Sequence, residues 1–229
     1  MMARSSATKL PVVVGVIASR ADLDRALQMR RPPDLFELRL DRLAGIVDQV
    51  ENKLPRLRAP LIITARHPRE GGANKLSLRQ RRDLLTRFLP HAHYVDVELR
   101  SASALRSLLT LAKQKKVRRI ISFHDSKSTP PRVLRAKARA AKTNGADIFK
   151  VATRTDTPGQ LARLLDFITW KVIDLPVSAM GIGKLGAISR VLLARSRSAL
   201  VYGSVGAQTD IEGQLSLKQL RALGIASRR

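Results

Sequence analysis

Cysteine is absent from this chain of 229 residues, which removes disulfides, thiolate metal sites and cysteine nucleophiles together. Aromatic residues are scarce at 3%, so there are few platforms on which the bases of a single-stranded nucleic acid could stack. Apolar runs stay strand-sized, well short of the roughly 20 residues that a membrane-spanning helix needs, so no membrane partner is expected. The opening "MMARSSATKL" has Arg and Lys but no apolar stretch leading to a small-residue cleavage site. Residues 1–10 are therefore expected to be a flexible N-terminus, and the protein to be cytoplasmic. Acidic residues are also few: 18 Asp and Glu stand against 43 Lys and Arg, for a net charge of +25.

Such a balance raises the question of nucleic acid, because phosphate binding is driven by basic surface. The basic residues are dispersed, however, through "RQRRDLLTR", "KQKKVRR", "RVLRAKARAAK", "RVLLARSR" and the terminal "SRR", most of them on or beside helix-like segments. Zinc-finger spacing is missing, as is the aromatic–basic interleaving of an RNA-recognition sheet. The expectation is a solvated basic exterior that steers anionic ligands and binds nucleic acid only nonspecifically.

What is present is a repeating pattern. Eight short apolar or β-branched runs recur: "VVVGVIA" (12–18), "LFELRLD" (35–41), "PLIITAR" (60–66), "YVDVEL" (94–99), "RIISFHD" (119–125), "DIFKVAT" (147–153), "LPVSAMG" (175–181) and "LVYGSVG" (200–206). Between them lie segments of helical period, clearest in "ADLDRALQM", "LSLRQRRDLLTRFL", "SASALRSLLTLAKQ", "PRVLRAKARAAKTNG", "PGQLARLLDFITW" and "GAISRVLLARS", with "LSLKQLRAL" last. Asn144-Gly145 marks a helix stop and Thr157-Pro158 a helix start. No linker or composition break divides residues 1–229. Eight βα units in this length predict a single-domain (β/α)8 barrel. The alternative, a doubly wound open sheet, would normally carry a G-x-G-x-x-G fingerprint after its first strand, and "VIASRADLDRAL" has none.

In a barrel, residues two apart on a strand share a face, and chemistry sits at the C-terminal strand ends. On that reading, strand two offers Glu37, Arg39 and Asp41, and strand three offers Thr64 and Arg66, with Glu70 in the loop beyond. Strand four offers Asp96 and Glu98, strand five Ser122 and His124, and strand six Lys150. Arg190 follows strand seven and Gln214 follows strand eight. A single lysine in an apolar strand is ordinarily one that snorkels to solvent. Polar groups on several strands or their following loops, converging on one mouth, favour a site instead. Burial and neighbouring cations would favour the neutral, nucleophilic form of Lys150. A strand-borne lysine with a histidine and several arginines points to Schiff-base chemistry on an anionic carbonyl compound, with His124 carrying the proton. His67, His91 and His93 fit less well, and the last two are expected on a surface turn rather than around a metal.

The motifs resemble those of the type I 3-dehydroquinate dehydratases of the shikimate pathway, over nearly the whole chain. "ELRLD" is similar to the family's strand-two motif, "TARHPREGG" to its Thr-x-Arg…Glu-Gly-Gly signature and "VDVEL" to its acidic pair. "SFHDSKSTP" and "GADIFKVA" resemble the segments bearing the catalytic histidine and lysine, and "GKLGAISR" and "EGQL" the last two loops. The resemblance implies that Lys150 forms the Schiff base, His124 moves the proton and Glu70 orients His124. It implies that Glu37, Arg39, Arg66, Arg190 and Gln214 hold 3-dehydroquinate, with Asp96, Glu98 and Thr64 in support. It further implies a syn loss of water, a homodimer, and no metal or organic cofactor. Where the family's last loop usually reads Ser-Ala-Pro-Gly-Gln, this chain has "DIEGQ". Asp210 thus takes the position of the substrate-contacting serine and Glu212 that of the proline, and these carboxylates are expected to weaken anion binding unless nearby cations absorb them. Ile182 replaces a methionine often found there. Two other readings are carried forward: an aldolase-type barrel, and a weakened barrel that binds polyanions.

Overall fold

The computed structural model describes residues 11–169, 174–206 and 211–225. Its strands are β1 (Val12–Ile17), β2 (Leu35–Arg39), β3 (Leu61–Thr64), β4 (Tyr94–Glu98), β5 (Arg118–Asp125), β6 (Ile148–Arg154), β7 (Val177–Ile182) and β8 (Leu200–Ser204). The helices are α1 (Arg20–Gln28), α2 (Val47–Lys53), α3 (Leu78–Phe88), α4 (Arg106–Gln114), α5 (Pro131–Thr143), α6 (Pro158–Thr169), α7 (Gly186–Arg195) and α8 (Leu217–Ala222). All strand pairs are parallel and follow chain order from β1 to β7, and β8 pairs with β1. That order is a (β/α)8 barrel, and the open doubly wound sheet is excluded. At the β7–β8 seam the ladder is replaced by two amide bonds, Ala199 N to Val177 O at 2.8 Å and Ala179 N to Ser198 Oγ at 3.1 Å, and by the Ser178 hydroxyl donating to Leu200 O at 3.0 Å.

Alternation along the strands sorts side chains into two cores. Facing outward, they meet one buried apolar residue or more from each of seven helices: Leu23, Val50, Leu85, Leu109, Leu134, Leu164 and Leu193. Inside the barrel, Val14, Leu35, Ile62, Ile120, Ile148 and Leu200 fill the lower interior. Helix starts follow their capping chemistry. Ser77 and Gln80 form a reciprocal capping box at α3, as Ser216 and Gln219 do at α8. At α6, Thr157 Oγ1 accepts from Gln160 N while Gln160 Oε1 accepts from Thr157 N. Asn144 ends α5, and Gly145 follows at φ 81°, the left-handed conformation in which glycine is favoured. The helix not named from periodicity is α2, whose "VDQVENK" buries only Val50 and so shows no apolar stripe. Among the described residues no helix is long and apolar enough to cross a membrane.

Candidate active site

Above the apolar interior, the inward positions of the even strands change character. Glu37 on β2, Asp96 on β4, Lys150 on β6 and Tyr202 on β8 form one layer, all nearly inaccessible to solvent. Lys150 Nζ donates to Glu37 Oε1 at 3.0 Å and Asp96 Oδ2 at 2.9 Å, and lies 3.9 Å from the centre of the Tyr202 ring. Lys150 is 3% exposed, so it does not snorkel. A buried ion costs several kcal/mol unless it is paired, and here two carboxylates and a ring face supply the pairing.

Beside it, Arg66 joins three strands. Its guanidinium donates to both oxygens of Asp96 (3.2 and 2.9 Å), to Glu98 Oε1 (3.2 Å) and to Ser122 Oγ (2.6 Å). Thr64 Oγ1 donates to Glu37 Oε1 at 2.9 Å. Burial alone would raise the Asp96 pKa, but Arg66 and Lys150 outweigh it and hold this carboxylate ionised below its ordinary range. The opposite oxygen of Glu98 accepts from Arg81 of α3 at 2.8 Å. Arg39 is committed to Asp41 through two bonds of 2.9 and 2.8 Å, and also donates to Gly71 O. Asp41 in turn accepts from the backbone N–H groups of Arg66 and Ala73, which fixes the loop that carries Glu70.

Glu70 Oε2 accepts from the His124 backbone N–H at 2.9 Å and lies 3.1 Å from His124 Nδ1. Burial, with the charges of Arg66 and Lys150, pushes the His124 pKa well below its usual 6.5, so the imidazole is neutral near pH 7. Burial and then the nearby Glu98 raise Glu70 to about 7. With Glu70 ionised, Nδ1–H is the donor and Nε2 is left as a base. A carboxyl pushed up and an imidazole pushed down suit a proton-transfer pair.

The far wall is set by glycines. A Cβ on Gly186 would lie 2.9 Å from Gly213 Cα, and Gly213 itself has φ 77°. The last loop can therefore lie against the start of α7, where Arg190 Nε donates to Gly213 O at 3.0 Å. Arg190 is 3% exposed, and its Nη1 has no hydrogen-bond partner among the described residues. Burial without a facing carboxylate lowers it to about 10, still cationic at neutral pH. Glu212 does not line the cavity. It pairs with Arg154 at the end of β6, at 3.0 Å, and Arg154 also holds Asp156. The carboxylate of Glu212 thus has a cation beside it outside the cavity. Asp210 lies outside the described residues.

A cavity of about 190 Å³ opens over this layer, lined by Glu37, Arg39, Arg66, Glu70, His124, Lys150, Arg190 and Gln214 among others. Asp96, Glu98 and Thr64 stand behind that lining and hold it. His67 is a turn residue whose Nδ1 accepts from Arg69 N, and His91 and His93 lie before β4, away from the cavity. Sequence reasoning missed Tyr202 and Arg81. Tyr202 is in phase with Leu200 and Ser204 on β8, and Arg81 is in phase with Leu85 and Phe88 on α3, so both were reachable by counting.

A family model described as Type I 3-dehydroquinase matches residues 12–225. The chain belongs to the type I 3-dehydroquinase family. It is 31% identical to a 3-dehydroquinate dehydratase of Shouchella clausii over 208 residues, covering 84% of this chain and 80% of that protein. It is 33% identical to the Pyrobaculum aerophilum 3-dehydroquinate dehydratase over 223 residues, 93% of this chain and 71% of that one. Among solved structures, the Geobacillus kaustophilus 3-dehydroquinate dehydratase superposes with a TM-score of 0.82 at 25% identity, covering 93% of this chain and 89% of that one. The type I enzyme of Clostridium difficile, solved with covalently modified comenic acid, shares the fold at a TM-score of 0.82 and 24% identity, with 93% and 91% coverage. Membership of the type I 3-dehydroquinases leaves the aldolase-type reading without support.

Proposed function

We propose that this chain is a 3-dehydroquinate dehydratase that converts 3-dehydroquinate to 3-dehydroshikimate through an imine on Lys150. As the neutral amine, Lys150 attacks the C3 ketone. The carbonyl oxygen leaves as water after taking up protons, and the nitrogen becomes an iminium. His124 Nε2 removes a C2 proton, and the electrons of that C–H bond flow into the iminium to give an enamine. The enamine returns them as the C1–O bond breaks, and His124 gives its proton to the departing hydroxyl. Hydrolysis of the product imine frees Lys150. Holding C3 on the lysine while one imidazole serves both proton steps gives a syn elimination.

Arg190 receives the substrate carboxylate in a charge-assisted contact. Arg39, Arg66, Glu37 and Gln214 frame the ring hydroxyls, and Glu70 orients His124. Asp96, Glu98 and Thr64 keep the lining in register. The observation that supports this most is Lys150 itself, fully buried, held at 2.9–3.0 Å by two carboxylates in a cavity it shares with the His124–Glu70 pair. The enzyme acts as a cytoplasmic homodimer, to be checked by light scattering, and nucleic acid binds only nonspecifically and is released near physiological salt.

Borohydride reduction in the presence of 3-dehydroquinate, followed by intact-mass and peptide analysis, tests the reading. A reduced ligand adduct on the peptide containing Lys150, absent in Lys150→Ala, is expected. A folded protein that turns over no 3-dehydroquinate and yields no adduct would overturn it and favour the polyanion-binding reading.

A further inference from the structure

Tyr202 is the fourth member of the charged layer and has no place in the mechanism above. Its ring centre lies 3.9 Å from Lys150 Nζ, the atom that reacts. The residue is 3% exposed, and its hydroxyl is buried with no hydrogen-bond partner among the described residues. Among the described residues the phenol donates to no neighbour, and burial, then Glu37 and Asp96, push its pKa well above the usual range. What Tyr202 presents to the reacting nitrogen is the electron-rich face of its ring.

We propose that Tyr202 is a catalytic residue whose ring face, and not its hydroxyl, stabilises positive charge on Lys150 Nζ during imine formation. This rests on the Schiff-base reading of Lys150. The reason lies in hydrogen counting. As an ammonium, Nζ has three N–H groups and spends two on Glu37 and Asp96. As an iminium bonded to substrate carbon, it keeps one, so at least one of those carboxylate hydrogen bonds is lost while the charge remains. The ring needs no N–H to attract a cation. Its contribution survives the change of bonding and weighs most where the hydrogen bonds have thinned. The orphaned hydroxyl contributes nothing to this role and is a liability in the folded state.

The test compares Tyr202→Phe, which keeps the ring, with Tyr202→Leu, which removes it. Tyr202→Phe is expected to keep kcat and the borohydride-trapped fraction within about twofold of the parent and to melt at a higher temperature, because a buried unpaired hydroxyl is gone. Tyr202→Leu, folded by circular dichroism, is expected to lose about tenfold in kcat and to trap less adduct, with a smaller change in KM. If the leucine variant does not fold, Tyr202→Met fills the space without a ring and carries the same expectation. Equal kcat in the Phe and Leu (or Met) variants would overturn the role of the ring. Equal impairment of Phe and Leu would place the role on the hydroxyl and overturn the proposal as well. Failure of the parent enzyme itself to trap any adduct marks the failure of the Schiff-base reading instead, since the proposal concerns only differences among variants of a trapping enzyme.

Discussion

The two sides of the barrel mouth treat their cations in opposite ways. Over β2 to β5, arginines meet carboxylates: Arg39 with Asp41, Arg66 with Asp96 and Glu98, Arg81 with Glu98. Over β7 and β8, Arg190 donates to a backbone carbonyl, and its Nη1 has no partner among the described residues. The difference separates structure from reception. A guanidinium whose partners are built in is neutralised and cannot gain much from an anionic ligand, whereas one buried without a carboxylate has already been stripped of water and is ready for one.

Breaking the paired side should cost stability. Arg66→Met leaves Asp96 and Glu98 buried with too few partners and is expected to destabilise the fold by about 3–5 kcal/mol in urea titration. A loss below about 1 kcal/mol would mean that the network is not a unit. On the receptive side the effect moves to binding. Arg190→Gln is expected to raise KM for 3-dehydroquinate about 100-fold while stability stays level or rises, since a buried charge is removed with no carboxylate left behind. An unchanged KM would take the carboxylate away from Arg190.

The proton-transfer pair lies where the acidic side ends. Glu70 titrates at about 7, so activity should rise with pH through that value, as ionised Glu70 accepts from His124 Nδ1–H and leaves Nε2 free. Glu98→Gln removes a charge that opposes the ionised form of Glu70, so the acidic limb of kcat/KM should move to lower pH by up to about one unit. A limb that stays in place or moves upward would contradict this electrostatic link. The smallest effect belongs to the half-exposed pair that replaces the expected loop chemistry. Arg154→Ala should raise KM about two- to threefold at low ionic strength, with the gap closing in high salt. Persistence of the gap in high salt would show that Arg154 acts by packing.

Strand alternation made the fold and the mouth legible, because period two is imposed by the pleat and survives any change of partner. Lys150 looked anomalous in "DIFKVAT" for a sound reason: the apolar neighbours are the walls, and the pairing comes from Glu37 and Asp96, 113 and 54 residues away in sequence. Such partners are invisible until strands are placed side by side. Tyr202 was passed over because an aromatic in a strand reads as core, and only its neighbour across the barrel gives the ring face a charge to meet. The Glu212–Arg154 pair was hidden for a related reason, since the loop and the end of β6 meet through a fold-level contact. Arg81 shows the limit of reading charge as surface: in a basic helix, one arginine on the apolar face is buried against Glu98.

The incomplete seam gives the barrel an uneven mechanical character. Seven strand junctions are continuous ladders, while the eighth is held by two amides, of Ala199 and Ala179, and by the hydroxyls of Ser178 and Ser198. A ring with one soft joint yields there first. That joint lies between β7, which leads into the helix bearing Arg190, and β8, which leads into the loop bearing Gln214. Lys150, His124 and their carboxylates stand on the stiff arc. The reacting atoms are thus carried by the continuous ladders, and the parts that grip the ligand flank the interrupted one.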